Sequence, residues 1–328
     1  MKNKILIFLF LLICGKITFS KITVFTIGDS TMAEKSLTST ERGWGMLLPT
    51  FVNPDSVIIS NNGFNGRSTK SFINEGRWTT VLNQLKAGDF VFIQFGHNDE
   101  KLDTYLHTDP YTTFSQNLEK FIIETRAKGA TPILLTPIVR RSFDNKGFLT
   151  DTHGEYPDAI RKVSGDMNVP LIDMELKTRL LENIAGLEGS RKFHEWFPPK
   201  EIDNTHLCNY GAYVVARMCA EDIQALNIAV PLNNVPSPLK NANESTYKLA
   251  YTMLNKDIQD EIRVSFTSKK DAIYAITSEW PGGETKAPSF SFVLKELSTQ
   301  KLGRKVTSIE LFGLKKSNLA LLCILLKD

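Results

Sequence analysis

The sequence predicts an α/β protein, a parallel sheet covered on both faces by helices, followed by a small antiparallel β domain. Three observations point there. Short apolar runs rich in β-branched and aromatic residues, at 23–27, 57–60, 90–95, 132–135 and 169–172, read as buried strands. Segments between the later runs carry helical periodicity, and strand–helix alternation of this kind builds parallel sheets sandwiched between helices. Beyond a stretch at 230–246 with three prolines and four asparagines, strand-like runs at 272–277, 289–294 and 306–311 are separated by turn residues, the pattern of an antiparallel sheet.

The N-terminus is a separate matter. Lys2 and Lys4 precede an apolar run at 5–14, and Thr18-Phe19-Ser20 supplies small residues where a signal peptidase cuts. Residues 1–20 therefore read as a secretory signal peptide cleaved near Ser20, and the expected location is secreted or periplasmic. The run is short for an anchor and is closely followed by a core strand, so no stable membrane insertion is expected. Cys14 follows Ile13, where a lipoprotein signal would carry a small residue, which argues against lipid anchoring. The expected division is then a catalytic-type domain at 21–229, a linker at 230–246 and a β-rich domain at 247–328.

The 328 residues are 42% hydrophobic with a formal charge of +3. A core of ordinary size is available. The near-balanced charge, with basic residues scattered, argues against a nucleic-acid partner. Cys208, Cys219 and Cys323 make neither a disulfide framework nor a metal site by their spacing, and read as small apolar residues.

Taken in order, the first strand runs into Gly28-Asp29-Ser30-Thr31, whose capping types predict a direct turn into a helical segment. Ser30 then sits at the carboxyl end of a strand, where open α/β sheets keep their ligands. A short helix is expected from Arg42 to Pro49. The second strand ends in a loop rich in asparagine and glycine at 61–69, with backbone positions free to take φ > 0. Ser68 or Thr69 is placed to cap a helix running to about Glu75. The run at 90–95 is the clearest buried strand and ends in Gly96-His97-Asn98-Asp99. Helices are expected at 114–128, with Phe114, Leu118, Phe121 and Ile122 on one face, and at 156–167, 174–184 and 210–226. Arg140 and Arg141 fall in a loop. Residues 191–201 read as irregular, and Asp203-Asn204-Thr205-His206 as a loop entering the last helix.

These polar groups suit nucleophilic hydrolysis. A serine nucleophile needs a base for its proton, a carboxylate to orient that base, and donors for the tetrahedral oxyanion. The spacing of Asp203 and His206 lets the carboxylate reach one imidazole nitrogen while the other faces a serine. Each piece alone also has a plain structural reading: Ser30 as a helix cap, the asparagine-rich loop as a turn, and Asp203-x-x-His206 as a helix entry.

Together, Gly28-Asp29-Ser30, Gly66, Gly96-His97-Asn98-Asp99 and Asp203-Asn204-Thr205-His206 resemble the four blocks of the SGNH family, the GDSL-type esterases, over roughly residues 22–226. The resemblance implies a flavodoxin-like three-layer α/β/α sandwich. It implies Ser30 as nucleophile, His206 as general base and then acid, and Asp203 as its orienting carboxylate. The implied oxyanion hole is the Ser30 and Gly66 N–H groups and the Asn98 side-chain amide, with no metal or cofactor. Within the family, Gly28–Ala33, Asn62 with Gly66–Phe72, and Gln94–Asp99 are most similar to rhamnogalacturonan acetylesterases. The implied partner is an acetylated polysaccharide or oligosaccharide. Arg67, Lys70, Arg77, Arg140 and Arg141 lie near the expected rim, where a uronate carboxylate would sit. Two other readings stay open: a broader esterase or lysophospholipase on the same machinery, and a non-catalytic glycan-binding protein. Residues 272–280 and 306–313 resemble the β domain of alpha-L-fucosidases. The ending at 319–328 departs from that domain's pattern and leaves its completeness open.

Overall fold

In the computed structural model, residues 21–145, 147, 149–199, 201–233 and 235 are described, together with the backbone of five strands beyond residue 249. The expected signal peptide, the strand-like run at 289–294 and most of the expected linker lie outside the described residues.

The first sheet contains β1 (Ile22–Gly28), β2 (Val57–Asn61), β3 (Phe90–Gln94), β4 (Thr131–Leu135) and β5 (Leu171–Ile172). All its pairings are parallel and the order is β2-β1-β3-β4-β5. This is a flavodoxin-like order, the class that the family resemblance implies. Strand β3 is central and buried throughout, so it has no polar face to offer solvent. Its side chains alternate between two cores, as the two-residue period of a strand requires. Phe90 and Phe92 join Val24, Ile133 and Leu135 on one face; Val91 and Ile93 join Phe25, Ile27 and Leu134 on the other.

Helices close both faces. On one lie α1 (Thr69–Asn74), α2 (Arg77–Leu82), α3 (Ser115–Ala127) and α4 (Tyr156–Met167), contributing Phe72, Trp78, Phe121 and Ile160. On the other lie α5 (Met174–Gly189) and α6 (Asn209–Ala225), contributing Leu176, Val215 and Met218. The Ser68 hydroxyl accepts from the Ser71 N–H, and the Ser71 hydroxyl accepts in turn from the Ser68 N–H, a reciprocal cap that starts α1 where the sequence predicts. Helix α5 outruns its expected end at 184 and kinks at Gly186, whose φ is 69°. Cys219 is buried in α6, whereas Cys208 is half-buried with its thiol on the Lys192 carbonyl.

Four expectations need correction, the first being the stretch 191–201, expected to be irregular, which carries the end of a 3-10 turn and a strand at His194–Phe197. No helix follows Ser30: the Asp29 carboxylate accepts from the Thr31 N–H and hydroxyl, and the Thr31 carbonyl accepts from the Trp44 N–H. Those bonds close a tight turn and use the groups a helix would need. The segment from Arg42 to Pro49 forms two short 3-10 turns rather than one helix. Asp203 and His206 lie on a strand, not in a loop. That strand, β7 (Glu201–Leu207), pairs antiparallel with β6 (His194–Phe197).

The hairpin is tied to the sandwich by polar contacts. His194 Nε2 lies 2.8 Å from Glu182 Oε1 on α5. The Arg141 N–H donates to the Asn204 carbonyl at 2.7 Å and its guanidinium donates to Asn204 Oδ1 at 2.9 Å. The Arg42 N–H donates to the Leu207 carbonyl at 2.8 Å.

A separate five-stranded antiparallel sheet is formed by β8 (Ala250–Thr252), β9 (Asp260–Phe266), β10 (Ala272–Glu279), β11 (Val306–Gly313) and β12 (Leu319–Leu326), in the order β10-β12-β8-β9-β11. The antiparallel β segment is therefore present, and its last strand includes residues whose folding the sequence leaves open.

Gln94, fully buried at the end of β3, donates to the Thr136 carbonyl at 2.9 Å and accepts from Trp44 Nε1 at 2.8 Å. A leucine there would gain apolar contact but leave a buried donor and a buried acceptor unpaired, each costing about 1–3 kcal/mol. The loss outweighs the gain, so Gln94→Leu is expected to lower unfolding free energy by about 2 kcal/mol or more, read from urea denaturation at constant m-value.

Candidate active site

In a sheet ordered β2-β1-β3-β4-β5 the connections from β1 and β3 leave in opposite directions, opening a crevice at the strands' carboxyl ends. Gly28 ends β1 and Gln94 ends β3, paired in register. A Cβ on Gly28 would come within 2.7 Å of the Gln94 carbonyl oxygen, so the close approach requires glycine. Ser30 follows at once, and His97 and Asn98 follow β3.

Ser30 Oγ lies 2.9 Å from His206 Nε2, and His206 Nδ1 lies 2.7 Å from Asp203 Oδ2. The other Asp203 oxygen accepts from the Thr205 N–H at 2.6 Å and the His206 N–H at 2.9 Å. Three hydrogen bonds thus hold one carboxylate, the first of them from the imidazole, and they keep Asp203 ionised well below the usual carboxylate range. The same Asp203 contact raises the His206 pKa above its ordinary value, with burial opposing and Glu41 adding to the rise.

The second and third blocks are stitched together beside Ser30. The Phe64 N–H donates to the Gly28 carbonyl at 2.9 Å, and Gly66 takes a φ of +71° that turns the chain at the cleft wall. Asn98 Nδ2 donates to the Arg67 carbonyl at 3.1 Å, while Lys101 Nζ donates to Asn98 Oδ1 at 2.7 Å. The amide is therefore fixed from both ends. Asp99, fully buried, accepts from the Thr69 N–H and hydroxyl and from the Thr108 hydroxyl. Burial raises its pKa to about 7 despite those bonds. It is a brace between the blocks.

A cleft of about 380 Å³ is lined by Ser30, Gly66, Asn98, His206, Glu41 and Lys101, among others. Four of the five residues expected at the site line this cleft, and the fifth, Asp203, stands behind His206. The hydrogen bond between Ser30 Oγ and His206 Nε2 gives a proton a direct path between them, and Gly66 and Asn98 line the same cleft.

Other groups in the cleft carry no sequence signal strong enough to single them out. Lys35 and Glu41 come from the loop after Ser30, in no recognisable spacing. His97 Nδ1 lies 3.0 Å from His153 Nε2, and burial keeps both rings neutral, His153 with a pKa lowered to about 3. Of the rim cations, Arg140 lines the cleft and pairs with Glu100 at 2.5 Å. Arg67 and Arg77 both pair with Glu75 and flank the Phe64 ring. Lys70 donates to the Thr104 carbonyl, and Arg141 is buried against the hairpin.

Comparison with known proteins supplies the family. The chain is 38% identical over 216 residues to rhamnogalacturonan acetylesterase RhgT of Bacillus subtilis, covering 63% of this chain and 91% of that protein. It is 34% identical over 208 residues to the Bacillus subtilis protein described as probable rhamnogalacturonan acetylesterase YesY, covering 62% and 94%. Among solved structures, that of Bacillus subtilis YxiM superposes with a TM-score of 0.57 at 26% identity, over 64% of this chain and 58% of that one. The family model for the GDSL-like lipase/acylhydrolase family matches residues 26–207, which span every group described above from the end of β1 to the end of β7. The chain belongs to the GDSL-like lipase/acylhydrolase family.

Proposed function

We propose that this protein is a secreted carbohydrate O-acetylesterase that removes acetyl groups from rhamnogalacturonan pectin through a serine acyl-enzyme. The observation that carries the reading is the continuous chain Asp203–His206–Ser30 opening on a cleft that Asn98 and Gly66 also line. The two Bacillus subtilis relatives support the substrate class.

In this reading Ser30 Oγ attacks the acetyl carbonyl carbon as its proton passes to His206 Nε2. The oxyanion is met by the Ser30 and Gly66 N–H groups and by Asn98 Nδ2. Collapse breaks the C–O bond to the sugar, whose oxygen takes the proton from His206, leaving Ser30 acetylated. Water then repeats the sequence, its proton going to His206 and its oxygen to acetate, and Ser30 is restored. Asp203 fixes the tautomer that leaves Nε2 free to accept.

The cleft wall favours a small acyl group on a polar carrier over a long-chain ester. Lys35, Glu41, Lys101 and Arg140 line it, and a long apolar chain would desolvate these charges without compensation. Residues 1–20 are read as the export signal, so protein recovered outside the cytoplasm is expected to begin at Lys21, as read by intact mass.

Purified protein is expected to release acetate from acetylated rhamnogalacturonan and from p-nitrophenyl acetate, with little release from acetylated xylan. Ser30→Ala should reduce all of these to assay background; undiminished release would end the serine mechanism. Turnover of the small ester alone would keep the chemistry and remove pectin. Asn98→Ala removes one oxyanion donor and should lower kcat by about 10²–10³ with a small effect on KM.

A further inference from the structure

His206 faces a second carboxylate. Glu41 Oε1 lies 3.6 Å from His206 Nε2, the nitrogen that is also 2.9 Å from Ser30 Oγ, whereas Asp203 holds the opposite nitrogen. Glu41 belongs to none of the four blocks. Its position is nevertheless set by backbone on both sides: Glu41 forms an antiparallel bridge with Cys208, and the next N–H, of Arg42, donates to the Leu207 carbonyl. The loop after Ser30 is thus stitched to the end of the strand that carries His206. Lys35 Nζ lies 2.5 Å from the same Glu41 Oε1 and donates to Asn65 Oδ1 at 2.5 Å. With its side chain only 4% exposed, this ammonium is fixed between the two loops.

We propose that Glu41 is a positioning carboxylate for His206, which stabilises the imidazolium formed when Ser30 gives up its proton, and that Lys35 sets the strength of that interaction. The inference rests on the hydrolytic reading given above. While His206 is neutral, Nε2 accepts from the Ser30 hydroxyl and has no proton to give, so Glu41 makes no hydrogen bond to it. Once the proton has moved, Nε2–H is a charged donor facing a carboxylate. The contact is therefore stronger in the charged state than at rest, as an interaction must be to accelerate the step.

Charge counting points the same way. Asp203, Glu41 and Lys35 together carry one net negative charge beside neutral His206, and the arriving proton cancels it. Without Glu41 the same proton would create a net positive cluster. Lys35 has a complementary role. By occupying Oε1 it limits how tightly Glu41 holds the imidazolium, which must still release its proton to the departing alcohol. The remaining ionisable groups around the cleft are buried Asp29, neutral His97, Lys101 on Asn98 and the Arg140–Glu100 pair.

The test is kcat and KM against pH with p-nitrophenyl acetate, for the mature protein and for Glu41→Gln, Lys35→Met and Ser30→Ala. His206 must be neutral to act, so activity falls as pH drops through its pKa. Losing the Glu41 charge lowers that pKa: the acid limb should move down by about half to one pH unit, while plateau kcat falls about 3- to 30-fold and KM holds. Losing the Lys35 charge should move the limb upward. Glu100 has its own pKa raised to about 7 by burial, so an NMR titration of the His206 ring reads the group directly and should shift as the limb does. An acid limb and ring titration unmoved in Glu41→Gln overturn the proposal, whatever happens to kcat. If Glu41→Gln fails to fold, a limb unmoved or lowered in Lys35→Met overturns it instead. Turnover surviving Ser30→Ala overturns the hydrolytic reading itself.

Discussion

The parallel pairing of β1 with β3 is the constraint on which the rest of the site depends. It brings Gly28 beside Gln94, and from that one register Ser30 and Asn98 emerge at neighbouring strand ends. The approach tolerates no side chain at Gly28, and the Gln94 side chain runs across to Thr136 and Trp44. A central apolar strand that ends in a buried glutamine is an apparent conflict between burial and polarity. It resolves because both ends of the amide are bonded, so the position fixes the loop carrying Trp44 as well as the sheet. The nucleophile turn then lies between two fixed points, the end of β1 and the Trp44 N–H.

His206 reaches the same place by a different route. It is carried by a hairpin outside the parallel sheet, held to α5, to the loop after β4 and to the loop after Ser30 by separate polar ties. Residues three apart on an ideal strand point to opposite faces, so Asp203 and His206 meet only because the strand departs from ideal geometry here. The pairing with β6 is irregular between His194 and Trp196, and the Asp203 carboxylate turns back onto the Thr205 and His206 N–H groups. That local turn, an aspartate bonding its own chain two and three residues on, is chemistry aspartate performs readily in loops and caps. The three-residue spacing is therefore productive here on a strand just as it would be at a helix entry.

The same comparison shows what is legible in the sequence. Strand β3 is readable because its short run is unbroken, apolar and rich in aromatic and β-branched residues, helix α4 because it is long enough for apolar spacing to show, and the α1 cap because serine is a strong capping type. The blocks containing Ser30, Gly66, Asn98, Asp203 and His206 are readable because their types and order are constrained together. The turn after Ser30 is not, because Asp29 and Ser30 are equally good at capping a helix and at closing a turn. Only the Trp44 N–H, fourteen positions on from Ser30, decides between them. Lys35 and Glu41 are invisible for a related reason: their meaning comes from the Glu41–Cys208 bridge, a contact between segments far apart in the chain.

The ionisable groups around the cleft divide into those held charged and those held neutral, and the division follows burial and partners. Asp203 and Glu75 gain enough hydrogen bonds to overcome desolvation, Glu75 reaching a pKa of about 2. For His97 and His153 desolvation is the largest influence and the Arg140 cation acts in the same direction; the Glu175 and Asp151 carboxylates oppose it at His153 without overcoming burial, and both rings stay neutral. Among the three imidazoles the one that can take the Ser30 proton near neutral pH is consequently His206, since burial holds the histidine pair beside it neutral. A base surrounded by other imidazoles would otherwise lose selectivity for its proton. Burying those rings against Arg140 removes them as rivals, with His97 in the cleft wall and His153 packed behind it, which lets His206 alone carry the chemistry.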